Sequence, residues 1–506
     1  MNAGFTAAYQ KSTELGVVNF AISCDAESQA AFEDALALLH HMMYKQAQKA
    51  FTAISKSDPA CVMPYWGIAM SAFHPLWPGK PVKQLTTNGA AAMKQLQGMK
   101  APTPREKAYI DAVHAFYSGD DSVGYRARTK AWAVAQQAVY KQYPDDLDAS
   151  ALSALAQLAL APKGDKTFAA QRAAGKQLEA VRARAPMHPG GFHYLIHAYD
   201  SPPLAKMAEE ASHSYGNLAP NVSHALHMPS HIFVRLGNWE RSIYWNKRSA
   251  AAALNDADKV TGSAYAHAVD YRVYAHLQRG ETDEAKKTVA DALAIKNHQD
   301  RFAAAYGLTA AQSRLVLERD DWARAAQLPV RHPDSFSWDK LAAVEAITHF
   351  ARGVGAARSG DPAAAAQSAS ALQGLHAKLE KTKNKYWATL VDSQRHSVLA
   401  WASYAKGNKD EALALMTKAA DIEDSVDKSP VTPSVVLPAR ELLGDMLVLA
   451  NKPAEAIKAY DKALTKSPNR ARSLRGAMQV ARAAGQKEQA MQYQETLRTF
   501  TSLEAK

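Results

Sequence analysis

The chain has 506 residues, 47% of them hydrophobic and 8% aromatic, with 60 Lys and Arg against 49 Asp and Glu for a formal net charge of +11. No run of about 18 apolar residues occurs, so a membrane-spanning helix is not expected. The surplus cations are scattered along stretches such as QKAFTAISKSD and KAYDKALTKSP and are not gathered with aromatics, which argues against a nucleic-acid partner.

Alanine-rich segments of helical period end at Gly and Pro, and none alternates as a strand does, so the class is all-α. Spacings near 34 residues point to a tetratricopeptide-repeat right-handed superhelix, an α-solenoid of helix–turn–helix units. Such a fold grows by adding repeats, so length does not force separate cores. We read residues 1–300 as a repeat region carrying the histidine-rich face and residues 301–506 as a continuous second repeat region.

In chain order, Cys24 precedes the first leading helix, and Ala47, Phe51, Ile54 and Pro59 mark the first trailing helix and the next start. Cys61 opens the following leading helix. Leading helices of adjacent repeats run parallel, which can bring Cys24 and Cys61 within disulfide range. Two separate buried thiols fit the spacing equally well. Residues 75–105, with HPLWPGKPVKQL and KAPTPRE, read as an irregular excursion over part of a groove.

Beyond it the register follows the small residue early in each trailing helix: Ala208, Ser242, Ala285, Ala325, Ala365, Ala412, Ala456 and Ala490. Near the C-terminus Leu443 and Gly444 suit a close helix crossing, Tyr460 points into the next repeat, and Pro468 closes the unit.

Measured on that ruler, His193 and His197 precede Ala208 by 15 and 11 residues, and His227 and His231 precede Ser242 by the same intervals. Asp270 precedes Ala285 by 15, and His224 and His267 each precede their markers by 18. Each His-x-x-x-His pair lies on one helix face, and these offsets belong to the inner face. Pro229 interrupts or starts the helix between His227 and His231.

Imidazole is the commonest ligand for zinc and copper. We therefore read His193, His197, His227, His231 and His224 as metal ligands of a mononuclear zinc or copper site in the concave groove. Asp270, His267 and Tyr271 would complete the shell or serve the chemistry of a metal-dependent hydrolase or oxidoreductase acting on a small molecule or peptide. Tyr199 and Tyr274 are further hydrogen-bond donors, and His40, His74, His188 and His213 are weaker prospects. The competing reading is a metal-free scaffold that binds a peptide or protein partner. Glu441 and Asp445, also at inner offsets, read as a solvated acidic face.

Three stretches, YWGIAMSAFHPLW (65–77), HPGGFHYLIHAYDSPPLA (188–205) and SHALHMPSHIFVRLGNW (223–239), resemble a bacterial exported tetratricopeptide-repeat family. The resemblance covers residues 15–300 well and the C-terminal third only as generic repeats. It implies a periplasmic or secreted setting, with the leader absent from this chain, and a shared cysteine pair at Cys24 and Cys61. It also implies the histidine motifs and a His-x-x-Asp-Tyr element at His267, Asp270 and Tyr271. No reaction comes with it.

Overall fold

The computed structural model describes residues 12, 14–76, 82–162, 164–255 and 260–501, apart from the side chains of residues 82 and 88. Those residues are helical throughout, with no strand beyond an isolated bridge between Thr261 and His298. Antiparallel helix pairs follow one another in tetratricopeptide-like succession. They fall into two compact units, Met1–Ile232 and Phe233–Lys506. The boundary near residue 300 read from the sequence marks the end of the histidine-bearing motifs. Packing divides the chain earlier.

Helix starts follow local chemistry. Asp25 accepts from the amide of Ser28 at 2.7 Å to open the helix Ala26–His40. Thr103 and Glu106 form a reciprocal capping box before Pro104. Asp146 caps Leu147–Leu160 through the amides of Asp148 and Ala149. The register markers Ala47, Ala208, Ser242, Ala285, Ala325, Ala365, Ala412 and Ala456 are all fully buried, as small residues at helix crossings must be. Tyr460 fills the space beside Gly444 and Gly476, where a methyl group would fall 2.6 Å from its ring.

Two expectations need correction. The segment 75–105 contains a regular helix, Val82–Gln97, and Pro104 starts another. Its proline-rich part, residues 77–81, lies outside the described residues. Alanine, leucine and glutamine after that point are strong helix formers, and they outweigh the proline signal. Glu441 and Asp445 do not form a solvated face. Glu441 is fully buried and bidentate with Arg470 (2.8 and 3.0 Å), and Arg472 reaches both Glu441 (3.0 Å) and Asp445 (2.6 Å).

Each unit also packs distant repeats together. In the first unit the helix Ala26–His40 lies against Pro189–Tyr199. In the second, the indole of Trp239 donates to the carbonyl of Asn469 at 2.9 Å, and Gln278 accepts from the amide of Ala471 at 2.9 Å. Contacts of this kind cannot be read from a neighbour-to-neighbour register.

Cys24 and Cys61 are disulfide-bonded, with Cα atoms 5.4 Å apart. The bridge closes a loop across 37 positions, and the chain-entropy model assigns such a loop about 3–4 kcal/mol. Peptide mapping without reductant should recover the Cys24–Cys61 pair, and reduction should lower the denaturation midpoint.

Burial pushes the Glu441 carboxyl up, but Arg470 and Arg472 outweigh it and hold it down at about 2. A depressed carboxyl stabilises the fold above its unfolded pKa, about 4.3, and that share is lost as pH falls toward 2. Acid melts should show this loss, and Glu441→Gln should flatten it. Glu441→Ala, which leaves buried Arg470 with Glu318 alone at 2.7 Å, should destabilise the fold in urea denaturation by less than the roughly 3–5 kcal/mol of a fully stranded charge.

Candidate metal centre

The short helix Pro189–Tyr199 carries the first histidine pair. Its cap is His188, whose Nδ1 accepts from the amide of Gly191 at 3.2 Å. That leaves His188 Nε2 as a donor, and it reaches Asp148 Oδ1 at 3.1 Å. The same oxygen accepts from His40 Nε2 at 2.8 Å, and His40 Nδ1 meets the hydroxyl of Tyr194 at 3.1 Å. Burial raises the Asp148 carboxyl, but His188 and His40 outweigh it and keep it well below the usual range. Gly190 is needed here, because a methyl group at that position would lie 2.6 Å from His40 Nδ1.

This network ends at the cluster. His193 Nδ1 lies 2.7 Å from the backbone carbonyl of His40. A carbonyl only accepts, so Nδ1 carries the proton and Nε2 presents a lone pair. Nε2 of His193 faces Nε2 of His197 at 3.2 Å. His224 joins them, its ring centre 4.9 Å from that of His193, and ligand atoms of all three residues lie within 4.8 Å of one another. Tyr215 stacks on His193 at 5.6 Å, and its hydroxyl bonds His41 Nδ1 at 2.8 Å.

The second pair repeats the arrangement with a different backing. Pro229 starts a new helix, so His227 ends Ser223–His227 while His231 sits in Pro229–Leu236. The interruption still leaves the two Nε2 atoms 3.0 Å apart. His231 Nδ1 bonds Asp200 Oδ2 at 2.9 Å, which places a proton on Nδ1, so that in the neutral ring Nε2 carries the lone pair.

Burial, reinforced by neighbouring imidazoles, holds His193 and His197 well below the ordinary histidine range and pushes His224 down to about 3. Neutral imidazole is the form that binds metal. His193, His227 and His231 are buried, and His197 and His224 are half-buried.

The remaining candidates lie in the second unit. Asp270 is fully buried and bonded to Arg314 Nε at 2.7 Å. Arg314 also donates to Thr432 Oγ1 and to the carbonyls of Ser434 and Val435. The Tyr271 hydroxyl donates to the carbonyls of Pro430 and Thr432, and His267 meets the Tyr271 ring edge-on at 5.1 Å. Asp270 and Tyr271 thus secure the segment 430–436, a task that sequence offsets do not reveal.

Among the weaker prospects, His40 and His188 belong to the supporting network, and His74 stacks on Tyr44 at 4.1 Å. Sequence reasoning missed Asp148, Asp200 and Tyr215. Asp200 closes the HYLIHAYD motif and was within reach, but nothing in the sequence singles out Asp148.

No family model and no curated protein sequence matches this chain. Among solved structures, an IFIT1 monomeric mutant with Gppp-AAAA aligns over 94% of this chain and 98% of its own at 11% identity, with a TM-score of 0.38. The APC/C hetero-tetramer Cut9-Hcn1 aligns over 95% of this chain and 74% of the matched chain at 9% identity, with a TM-score of 0.33. Likeness at that level transfers no function.

Asp270→Ala should leave Arg314 buried without its counter-charge and cost about 3–5 kcal/mol in urea denaturation. Asp270→Asn should lower the melting temperature yet leave zinc uptake by the protein unchanged. Lost uptake at unchanged stability would assign Asp270 a ligand's part.

Proposed function

We propose that this chain is a tetratricopeptide-repeat metalloprotein that holds zinc or copper through its histidine cluster, with His193, His197 and His224 as the principal ligands. The carrying observation is the pair of Nε2 atoms 3.2 Å apart, one of which must be a lone pair because His193 Nδ1 donates to the His40 carbonyl. Imidazoles bound to one tetrahedral ion at about 2.0–2.1 Å stand with their nitrogens roughly 3.3 Å apart. The donor set fits as well, since neutral nitrogen ligands suit zinc and copper.

Three protein ligands leave a coordination position for water or substrate, the arrangement of catalytic sites. A bound ion would supply Lewis acidity or, as copper, one-electron chemistry. The chain's own residues do the rest. The His40 carbonyl fixes the His193 tautomer, Asp148 holds His40, and Tyr215 with His41 closes off the buried side. The reading includes a hydrolase or oxidoreductase acting on a small molecule or peptide. The disulfide supports an oxidising, extracytoplasmic compartment, and no helix among the described residues is long and apolar enough to cross a membrane.

Protein purified without chelator should carry zinc or copper by elemental analysis, and chelation should lower its melting temperature because the ion binds the folded state. Replacing His193 and His197 together with Gln should lower metal content while helical circular dichroism persists. Protein that takes up neither zinc nor copper would overturn the reading and favour a scaffold for a peptide or protein partner.

A further inference from the structure

The five imidazoles of the first unit do not converge on one point. Ligands of a single tetrahedral ion, with metal–nitrogen distances of about 2.0–2.1 Å, hold their ring centres roughly 5 Å apart. His193 and His197 stand at 4.9 Å, His193 and His224 at 4.9 Å, and His227 and His231 at 4.9 Å. Between the two sets the separations widen, to 6.4 Å for His197 and His231 and 6.5 Å for His224 and His227. Five ligands also exceed the four of a tetrahedral site.

Each set carries its own chelating pair of Nε2 atoms, at 3.2 and 3.0 Å. Each also has its own tautomer lock, the His40 carbonyl on His193 and the Asp200 carboxylate on His231. A shared proton could join either pair as a hydrogen bond. The duplication of pair and lock is what a single-ion site does not require.

We infer that the cluster binds two metal ions at separate centres, one on His193, His197 and His224 and one on His227 and His231. This rests on the metal-binding reading above. The centres differ in charge. The first is backed by a neutral carbonyl, the second by a carboxylate, which raises the basicity of its histidine and offsets part of a divalent charge. The second centre is therefore the one that responds more strongly to loss of Asp200.

The test is a zinc titration of metal-stripped, full-length protein, read by calorimetry and by elemental analysis after desalting. Two equivalents per chain are expected. His193→Gln with His197→Gln should leave one equivalent, and His227→Gln with His231→Gln should also leave one. Asp200→Asn should weaken one binding step by about 10–100-fold and the other, where Asp200 acts on His197 only through space, by less. One equivalent in the unmodified protein would overturn the proposal, with no need for any variant to fold. So would two equivalents that survive both double substitutions, since the zinc would then sit elsewhere. Loss of all binding in either double variant, with circular dichroism intact, would show a single shared site. No binding at all would instead overturn the metal-binding reading itself.

Discussion

The histidine cluster depends on one hydrogen bond, from His193 Nδ1 to the carbonyl of His40. It decides which nitrogen of His193 carries the proton, and so whether the opposite nitrogen can bind anything. That carbonyl is itself fixed through the ring of the same residue. His40 Nε2 is held by Asp148, which His188 shares, and His188 in turn caps the helix that carries His193. The chain of contacts returns to its starting helix. A change at Asp148 is thus felt at His193 through two routes, the His40 backbone and the helix cap. Close approach at Gly190 is the steric condition for both.

The two units differ in the polar groups around which their buried networks are built. The second buries full charges and pairs them: Arg314 with Asp270, and Arg470 with Glu441. Those pairs hold long-range contacts in place, with Arg314 gathering the carbonyls of Ser434 and Val435. Their value lies less in net stability, which desolvation largely cancels, than in the heavy cost of losing one partner. The first unit buries imidazoles, which shed their charge when desolvated. Burial, with smaller contributions from His40 and His188, drives His41 down to about 4 against the opposing hydrogen bond to the Leu15 carbonyl. Carboxylates meet some of them, Asp148 at His40 and His188 and Asp200 at His231, while His193 faces only a backbone carbonyl and other rings.

Much of this was legible in the sequence. The alanine register located the trailing helices because a small residue is the only kind that fits a tight crossing, and the His-x-x-x-His pairs marked the helices that meet. The disulfide was one of two readings that spacing allowed, and the structure selects it. Legibility failed wherever a contact joins distant repeats. A register describes neighbours, so it could not bring His40 beside His193, nor show Glu441 facing Arg470 and Asp270 facing Arg314. Equal offsets were also treated as equal surroundings. Asp270 shares the offset of His193 and His227, yet what packs against it is an arginine.

A helical repeat gains nothing in stability from the cluster. Leucine or methionine at the same positions would bury more apolar surface and leave no polar atom to satisfy. Imidazoles whose nitrogens face one another are a poorer filling, because two lone pairs at 3.0–3.2 Å repel unless a proton or cation lies between them. A proton serves one such contact, as a plain hydrogen bond. A second proton, on His227 Nε2, serves the other contact in the same way. Under the metal-binding proposal, one cation on each pair would take the place of that proton, and the nitrogen spacing and the outer groups on His193 and His231 fit that role.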